Sequence, residues 1–146
     1  GRAELMLRMG RLDDSIAAYR KAANRWPDSS VTLNALGYTL ADRTEEYAEA
    51  EKLIRKALKY DPDSPAIIDS LGWVLHKLGN HEEALVHLQV AYEKFPDHEV
   101  AAHLVEVLAA LEREEEALEL LVAAEAEDPE SDLLKDVRER LFPEAP

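Results

Sequence analysis

Residues Pro65 to His98 read PAIIDSLGWVLHKLGNHEEALVHLQVAYEKFPDH, and two helices can be traced in that one stretch. In its first half Ile68, Leu71 and Leu75 recur at spacings of three and four, which lines them along one helix face. Ser64 and Pro65 supply an N-cap and a first-turn proline, and Gly79 stands where a C-terminal glycine belongs. In the second half Ala84, Leu88 and Ala91 form another stripe, ended by Pro96, which cannot continue a helix.

Working outward, the same marks return. Prolines 27, 62, 96 and 129 are 35, 34 and 33 residues apart, and each follows an alanine by five: Ala22, Ala57, Ala91 and Ala124. Small residues lie twelve before each proline, at Ser15, Ala50, Ala84 and Ala117, and each is followed four residues later by a bulky one, Tyr19, Ile54, Leu88 or Leu121. Leu33, Leu36, Gly37 and Leu40 repeat 35 residues later as Ile68, Leu71, Gly72 and Leu75. A period near 34 with two helices per unit means that no unit can bury its apolar face alone, so neighbours must stack.

These residues resemble the tetratricopeptide repeat (TPR) family, whose unit is a helix–turn–helix with Leu-Gly in the first helix and Ala, a bulky apolar residue, Ala and Pro in the second. The resemblance implies an all-α fold, a right-handed superhelical α-solenoid of stacked repeats. The repeats are expected at 1–29 (partial), 30–64, 65–98 and 99–130, followed by a capping helix and tail at 131–146. Helices are predicted at 3–9, 12–25, 30–42, 45–60, 65–78, 81–94, 98–111, 114–127 and 131–141. Residue 1 falls inside the first helix of a repeat, so the chain is expected to be a fragment of something longer. At the other end Leu133, Leu134, Val137 and Leu141 form the apolar stripe of a cap. The fourth repeat departs from the pattern, with Val105 at the glycine site and Glu112 where Gly79 closes the preceding helix. A looser or altered helix crossing is expected there.

Composition excludes several functions. The 146 residues contain no cysteine, which removes disulfides, thiolate metal sites and thiol nucleophiles. Apolar runs such as Val107 to Leu111 fall far short of the roughly 18 residues a membrane span needs, so no direct membrane insertion is expected. The net charge of −14, unrelieved by any Lys/Arg cluster, repels phosphate backbones and makes nucleic acid an improbable partner. Residues 97–146 hold 16 acids against 4 bases, and the first 96 hold 15 against 13, so the acid belongs to the last repeat and its cap. It reads either as a solubilising end or as a docking surface for a basic partner.

In the family the first helices line a concave surface where proteins or peptides bind. Spacing then offers Glu4 and Arg8, Asn34, Tyr38 and Asp42, Asp69, Trp73, His76 and Lys77, and His103, Glu106 and Ala110 as inward-facing. Tyr38 and Trp73, 35 residues apart, are expected side by side in the groove as aromatic anchors. A partner's C-terminal carboxylate would be repelled by Asp42, Asp69 and Glu106. Among the five histidines, at 76, 81, 87, 98 and 103, no two have the four-residue spacing that aligns metal ligands on a helix. No metal or cofactor is expected. Asp61-Pro62-Asp63-Ser64 lacks the glycine and closing glutamate of a calcium loop, and His98 with Asp97 reads as a loop and N-cap. No phosphate loop, nucleophile elbow or paired-carboxylate cleft is present, so the chain is expected not to be an enzyme.

The strings Leu36 to Thr44 (LGYTLADRT), Asp69 to Leu75 (DSLGWVL) and Pro96 to Leu104 (PDHEVAAHL) are similar to the C-terminal repeats of a proteobacterial TPR lipoprotein family. One of its members is an outer-membrane-anchored adaptor for a periplasmic carboxyl-terminal processing protease. In that family Gly and Trp are expected where this chain has Val105 and Ala109. The resemblance implies a scaffold that collects a protein or peptide partner such as that protease, at the periplasmic face of the outer membrane; without it a cytoplasmic location is the default. Two other readings stay open from the residues alone, an accessory domain of a larger enzyme and a self-associating scaffold.

Overall fold

The computed structural model describes residues 1–146 as eight α-helices and no strand. They are α1 (Arg2–Arg25), α2 (Ser30–Arg43), α3 (Tyr47–Tyr60), α4 (Pro65–Lys77), α5 (His81–Lys94), α6 (His98–Ala110), α7 (Glu114–Glu127) and α8 (Asp132–Leu141). From α2 onward each helix lies within two residues of its predicted span.

The start of the chain differs from expectation. Instead of helices at 3–9 and 12–25 there is one continuous α1 of 24 residues. The predicted break falls at Gly10 and Arg11, and a glycine inside a helix costs only about 1 kcal/mol. A Cβ at Gly10 would meet nothing within 4 Å, so no neighbouring element crowds the chain there. The helix buries no residue fully and touches the core through Ile16 and Ala23, while Leu5, Met6, Leu7 and Met9 stay exposed.

Local chemistry sets the remaining boundaries. The hydroxyls of Ser29, Ser64 and Ser131 accept from the backbone N–H groups of Thr32, Ile67 and Leu134, and the Asp97 carboxylate accepts from Glu99. At the end of α4, Gly79 takes φ +88°, Gly79 N donates to the His76 carbonyl at 3.0 Å, and Asn80 N donates to Leu75 at 2.8 Å. Glu112 closes α6 in the same way, with φ +61° and bonds from Glu112 N to Ala109 and Arg113 N to Leu108.

Helix pairs α2/α3 and α4/α5 cross closely because of two glycines. A Cβ on Gly37 would come within 2.6 Å of the Ile54 side chain and 3.2 Å of the Ala50 carbonyl. One on Gly72 would meet Leu88 at 2.6 Å and the Ala84 carbonyl at 3.2 Å. Ile54 and Leu88 are fully buried and have no room to withdraw. Where Val105 replaces the glycine, α6 and α7 touch along a shorter stretch than the two earlier pairs, as the sequence leads one to expect. Contacts of α2 with α4 and of α4 with α6 align these first helices on one side.

One apolar core runs from Leu33 to Val137. The cap α8 closes it against α6 and α7, burying Leu134 and Val137, with Leu141 partly covered. Leu133 departs from the predicted stripe and is 42% exposed, because it stands one position off the Leu134–Val137–Leu141 face. No helix is long and apolar enough to cross a membrane.

Candidate functional site

The side shared by α2, α4 and α6 carries a polar cluster built around His103. This histidine stands six residues after its N-cap Asp97, where α4 has Ser70 after Ser64 and α2 has Ala35 after Ser29. A large ring at a position that elsewhere holds a small side chain reaches across to α4 and, beyond it, to Tyr38 of α2. His103 Nδ1 lies 2.9 Å from Asp69 Oδ1, and Nε2 lies 3.2 Å from the Tyr38 hydroxyl. The imidazole stacks on Trp73, with centroids 4.1 Å apart and planes 19° from parallel.

The electrostatics of the cluster follow from burial. Desolvation alone would lower the His103 pKa, but the hydrogen bond and charge of Asp69, with the charges of Glu99 and Asp42, outweigh it and raise the pKa. A charged imidazolium donates from both nitrogens, to Asp69 and to Tyr38, and its positive charge suits the Trp73 face. Burial, then the negative charges of Asp42, Glu99 and Asp69, hold the Tyr38 phenol above its ordinary range. His76 behaves oppositely. Burial, then the positive influences of His81, Lys77 and His103, depress it to about 4. Its Nδ1 sits 2.9 Å from His81 Nδ1, a contact that requires one ring to accept.

The structure brings most of the predicted inward residues together, but in roles different from those expected of several. Trp73 is 4% exposed, stacked on His103, with Nε1 donating to Asp42 Oδ1 at 3.2 Å and the Lys77 ammonium 4.7 Å from its ring centre. It is a packing residue and not an open aromatic anchor. The His103 ring contacts both the Tyr38 ring and the Trp73 ring. Asp69 and His103 are 5% and 6% exposed and face each other. Glu106, one of the expected groove acids, is engaged by Arg140 of the cap at 2.5 Å. Glu4 and Arg8 lie exposed on the N-terminal part of α1, and Ala110 is exposed at the end of α6. The oxygens of Asp69 and Glu99 and a nitrogen of His103 fall within 4.8 Å of one another, a grouping the spacing of histidines alone did not reveal. Both ring nitrogens of His103 are occupied there by Asp69 and Tyr38.

Next to the cluster the surface opens into a cavity of about 440 Å³, walled by Asn34, Tyr38, Asp69, Phe95, Asp97 and Glu99 among others. Asn34 Oδ1 is buried and has no hydrogen-bond partner. A second cavity of about 480 Å³ shares Tyr19, Tyr38 and Thr39 with the first and continues past Asp42 to Arg8, Arg11 and Arg43. Of these residues the sequence pointed to Asn34, Tyr38, Asp42, Asp69 and Arg8. Tyr19, Phe95, Asp97, Glu99, Arg11 and Arg43 were missed. Asp97 and Glu99 are visible only as a cap and a first-turn acid, and Tyr19 only as a bulky residue of the second-helix motif.

Comparison with known proteins agrees with this architecture. Family models described as tetratricopeptide repeat match residues 1–65, 35–99 and 75–141. A TPR repeat-containing protein of Pseudomonas aeruginosa, PA4667, is 56% identical over 82 residues, covering 56% of this chain and 14% of that protein. The cytochrome c-type biogenesis protein CycH of Rhizobium meliloti is 31% identical over 115 residues, 74% of this chain and 30% of that one. The chain thus spans less than a third of the length of either relative. Among solved structures, the thermophilic TPR protein TTC0263 of Thermus thermophilus aligns with a TM-score of 0.75 at 22% identity, covering 95% of this chain and 75% of that one. YrrB, described as a TPR protein with an unusual peptide-binding site, aligns at 0.62 and 27% identity over 97% and 78% of the two chains. With the 34-residue period, the two glycine crossings and these matches in agreement, the chain belongs to the tetratricopeptide repeat family.

Proposed function

We propose that this chain is a non-catalytic protein-interaction scaffold that receives an extended peptide segment of a partner along the groove between α1, α2, α4 and α6. The observation that carries the reading is Asn34, a residue that lines an open cavity and whose side-chain Oδ1 is buried without a donor. An unmet acceptor costs about 1–3 kcal/mol, and a turn of the Asn34 amide toward a peptide N–H in the groove would remove that cost. Trp73 and His103 pack behind Asp69, and His103 holds the Tyr38 hydroxyl at a fixed position, which lowers the ordering cost of binding. The peptide site named for YrrB adds weight to this choice of ligand.

Asn34→Ala tests it. The free protein should melt at the same temperature or slightly higher, because an unsatisfied group has been removed. Cross-linking capture of a partner by the purified chain should fall about tenfold. Undiminished capture by this variant would exclude Asn34 and the groove. A narrower form of the proposal makes the partner a periplasmic carboxyl-terminal processing protease and the chain an adaptor at the bacterial outer membrane. The particular strings at Leu36–Thr44, Asp69–Leu75 and Pro96–Leu104 support it. Failure of the purified protease to bind the chain in a sizing experiment would reject the narrower form alone.

A further inference from the structure

The two cavities form one groove with opposite charge at its ends. The chain carries 31 acids and 17 bases, so an arginine without a carboxylate partner is unexpected. Arg20, Arg55, Arg113, Arg138 and Arg140 all make ion pairs. Arg2, Arg8, Arg11, Arg25 and Arg43 make none, and three of these five, Arg8, Arg11 and Arg43, line the cavity at the α1–α2 end, where Asp42 is the one acid. Asp42 is itself engaged by the Trp73 indole N–H. At the other end Asp69, Asp97 and Glu99 line the wall with no Lys or Arg among them. Asp69 is hydrogen-bonded to His103, and Asp97 accepts from the first turn of α6, which leaves Glu99 and the balance of the charge negative. Tyr19 and Tyr38 belong to both cavities and form an aromatic waist between the two ends.

Resting on the reading of this groove as a peptide site, we infer that it selects a dipolar segment. The recognised stretch carries acidic side chains that reach Arg8, Arg11 and Arg43, and a Lys or Arg that reaches Glu99 and Asp97, with a flat or apolar residue against Tyr19 and Tyr38. The arginines suit carboxylates because the planar guanidinium offers paired donors. The opposite charges at the two ends disfavour peptides of a single sign, since each end repels one of them.

Four synthetic peptides of equal length with blocked termini test this: one with glutamates at one end and lysines at the other, one with glutamates only, one with lysines only and one neutral. Blocking removes the terminal carboxylate and amine as sources of the effect. Fluorescence anisotropy at low salt should show the dipolar peptide binding about tenfold more tightly than any other, with the advantage shrinking as salt is raised. The combined substitution Arg8→Glu, Arg11→Glu and Arg43→Glu, all at exposed positions, should abolish that preference and bring the lysine-only peptide to the front. Glu99→Lys should weaken the dipolar peptide and spare the glutamate-only one. Equal affinity for the four peptides, or an unchanged preference in the arginine variant, would overturn the inference. If the neutral peptide binds the wild type as tightly as the dipolar one and Asn34→Ala loses both, the groove binds peptides without reading their charge. If none binds and Asn34→Ala leaves partner capture intact, the groove reading itself fails.

Discussion

At the scale of single residues, two histidines in one cluster are shifted in opposite directions by their surroundings. His103 has a raised pKa, so the stability it contributes is complete below the unfolded value of about 6.5 and is lost as pH rises through its folded value. His76 is depressed to about 4, so its contribution is complete above about 6.5 and is lost as pH falls toward 4. The two effects lie on opposite sides of the same point. We expect these groups to give a stability maximum near pH 6.5, with the nitrogen-15 signals of His103 keeping both ring protons to a higher pH than a free imidazole and those of His76 showing one until about pH 4. A His103 ring that titrates near the ordinary value would contradict the geometry of Asp69 and Tyr38. The sequence gives no hint of this difference, because both residues are simply polar positions on first helices. Burial and the Asp69 carboxylate, which come from two different repeats, decide the direction in which each is shifted.

At the scale of elements, the repeat marks carry nearly all of the helix boundaries. Ser64-Pro65 starts α4 and Gly79 ends it for reasons that can be stated from the residues alone. Glu112 shows the same stop made with an unsuitable residue. A non-glycine residue at φ +61° pays about 1–2 kcal/mol of steric strain, so Glu112→Gly should raise the unfolding free energy by about 1 kcal/mol. Urea unfolding would show this as a higher midpoint with the same slope, and Glu112→Ala should show no such gain. Equal midpoints for Gly and Ala would mean that the left-handed backbone is not strained. The misread element is α1. A single glycine does not stop a helix unless another element folds back against it, and none crowds Gly10.

At the scale of the whole molecule, the solenoid depends on its last helix. Burial of Leu134 and Val137 closes the core, and Arg138 and Arg140 tie the cap to Glu125 and Glu106. Two such side chains are worth about 3 kcal/mol or more of burial, with the exposed ends of the ion pairs adding little. A chain ending at Glu130 should therefore unfold at a distinctly lower urea concentration, with the loss concentrated in α6 and α7 by hydrogen exchange. An unchanged midpoint would show that α8 is an appendage and not a cap. The acid of the last third fits this placement, since much of it lies on the solvent side of α7 and α8 around a sealed core.

From its sequence alone this chain is determined to be a stack of helical hairpins. A period of about 34 residues, helix-stopping prolines and glycines at the crossings are local features whose physics does not depend on distant contacts. The site was decided only in three dimensions. Whether Trp73 is an anchor or a floor, whether His103 is charged, and whether three arginines share one cavity are questions of which side chains from different repeats meet. That meeting is set by the stacking of hairpins and by the continuity of α1, and the repeat period does not specify it.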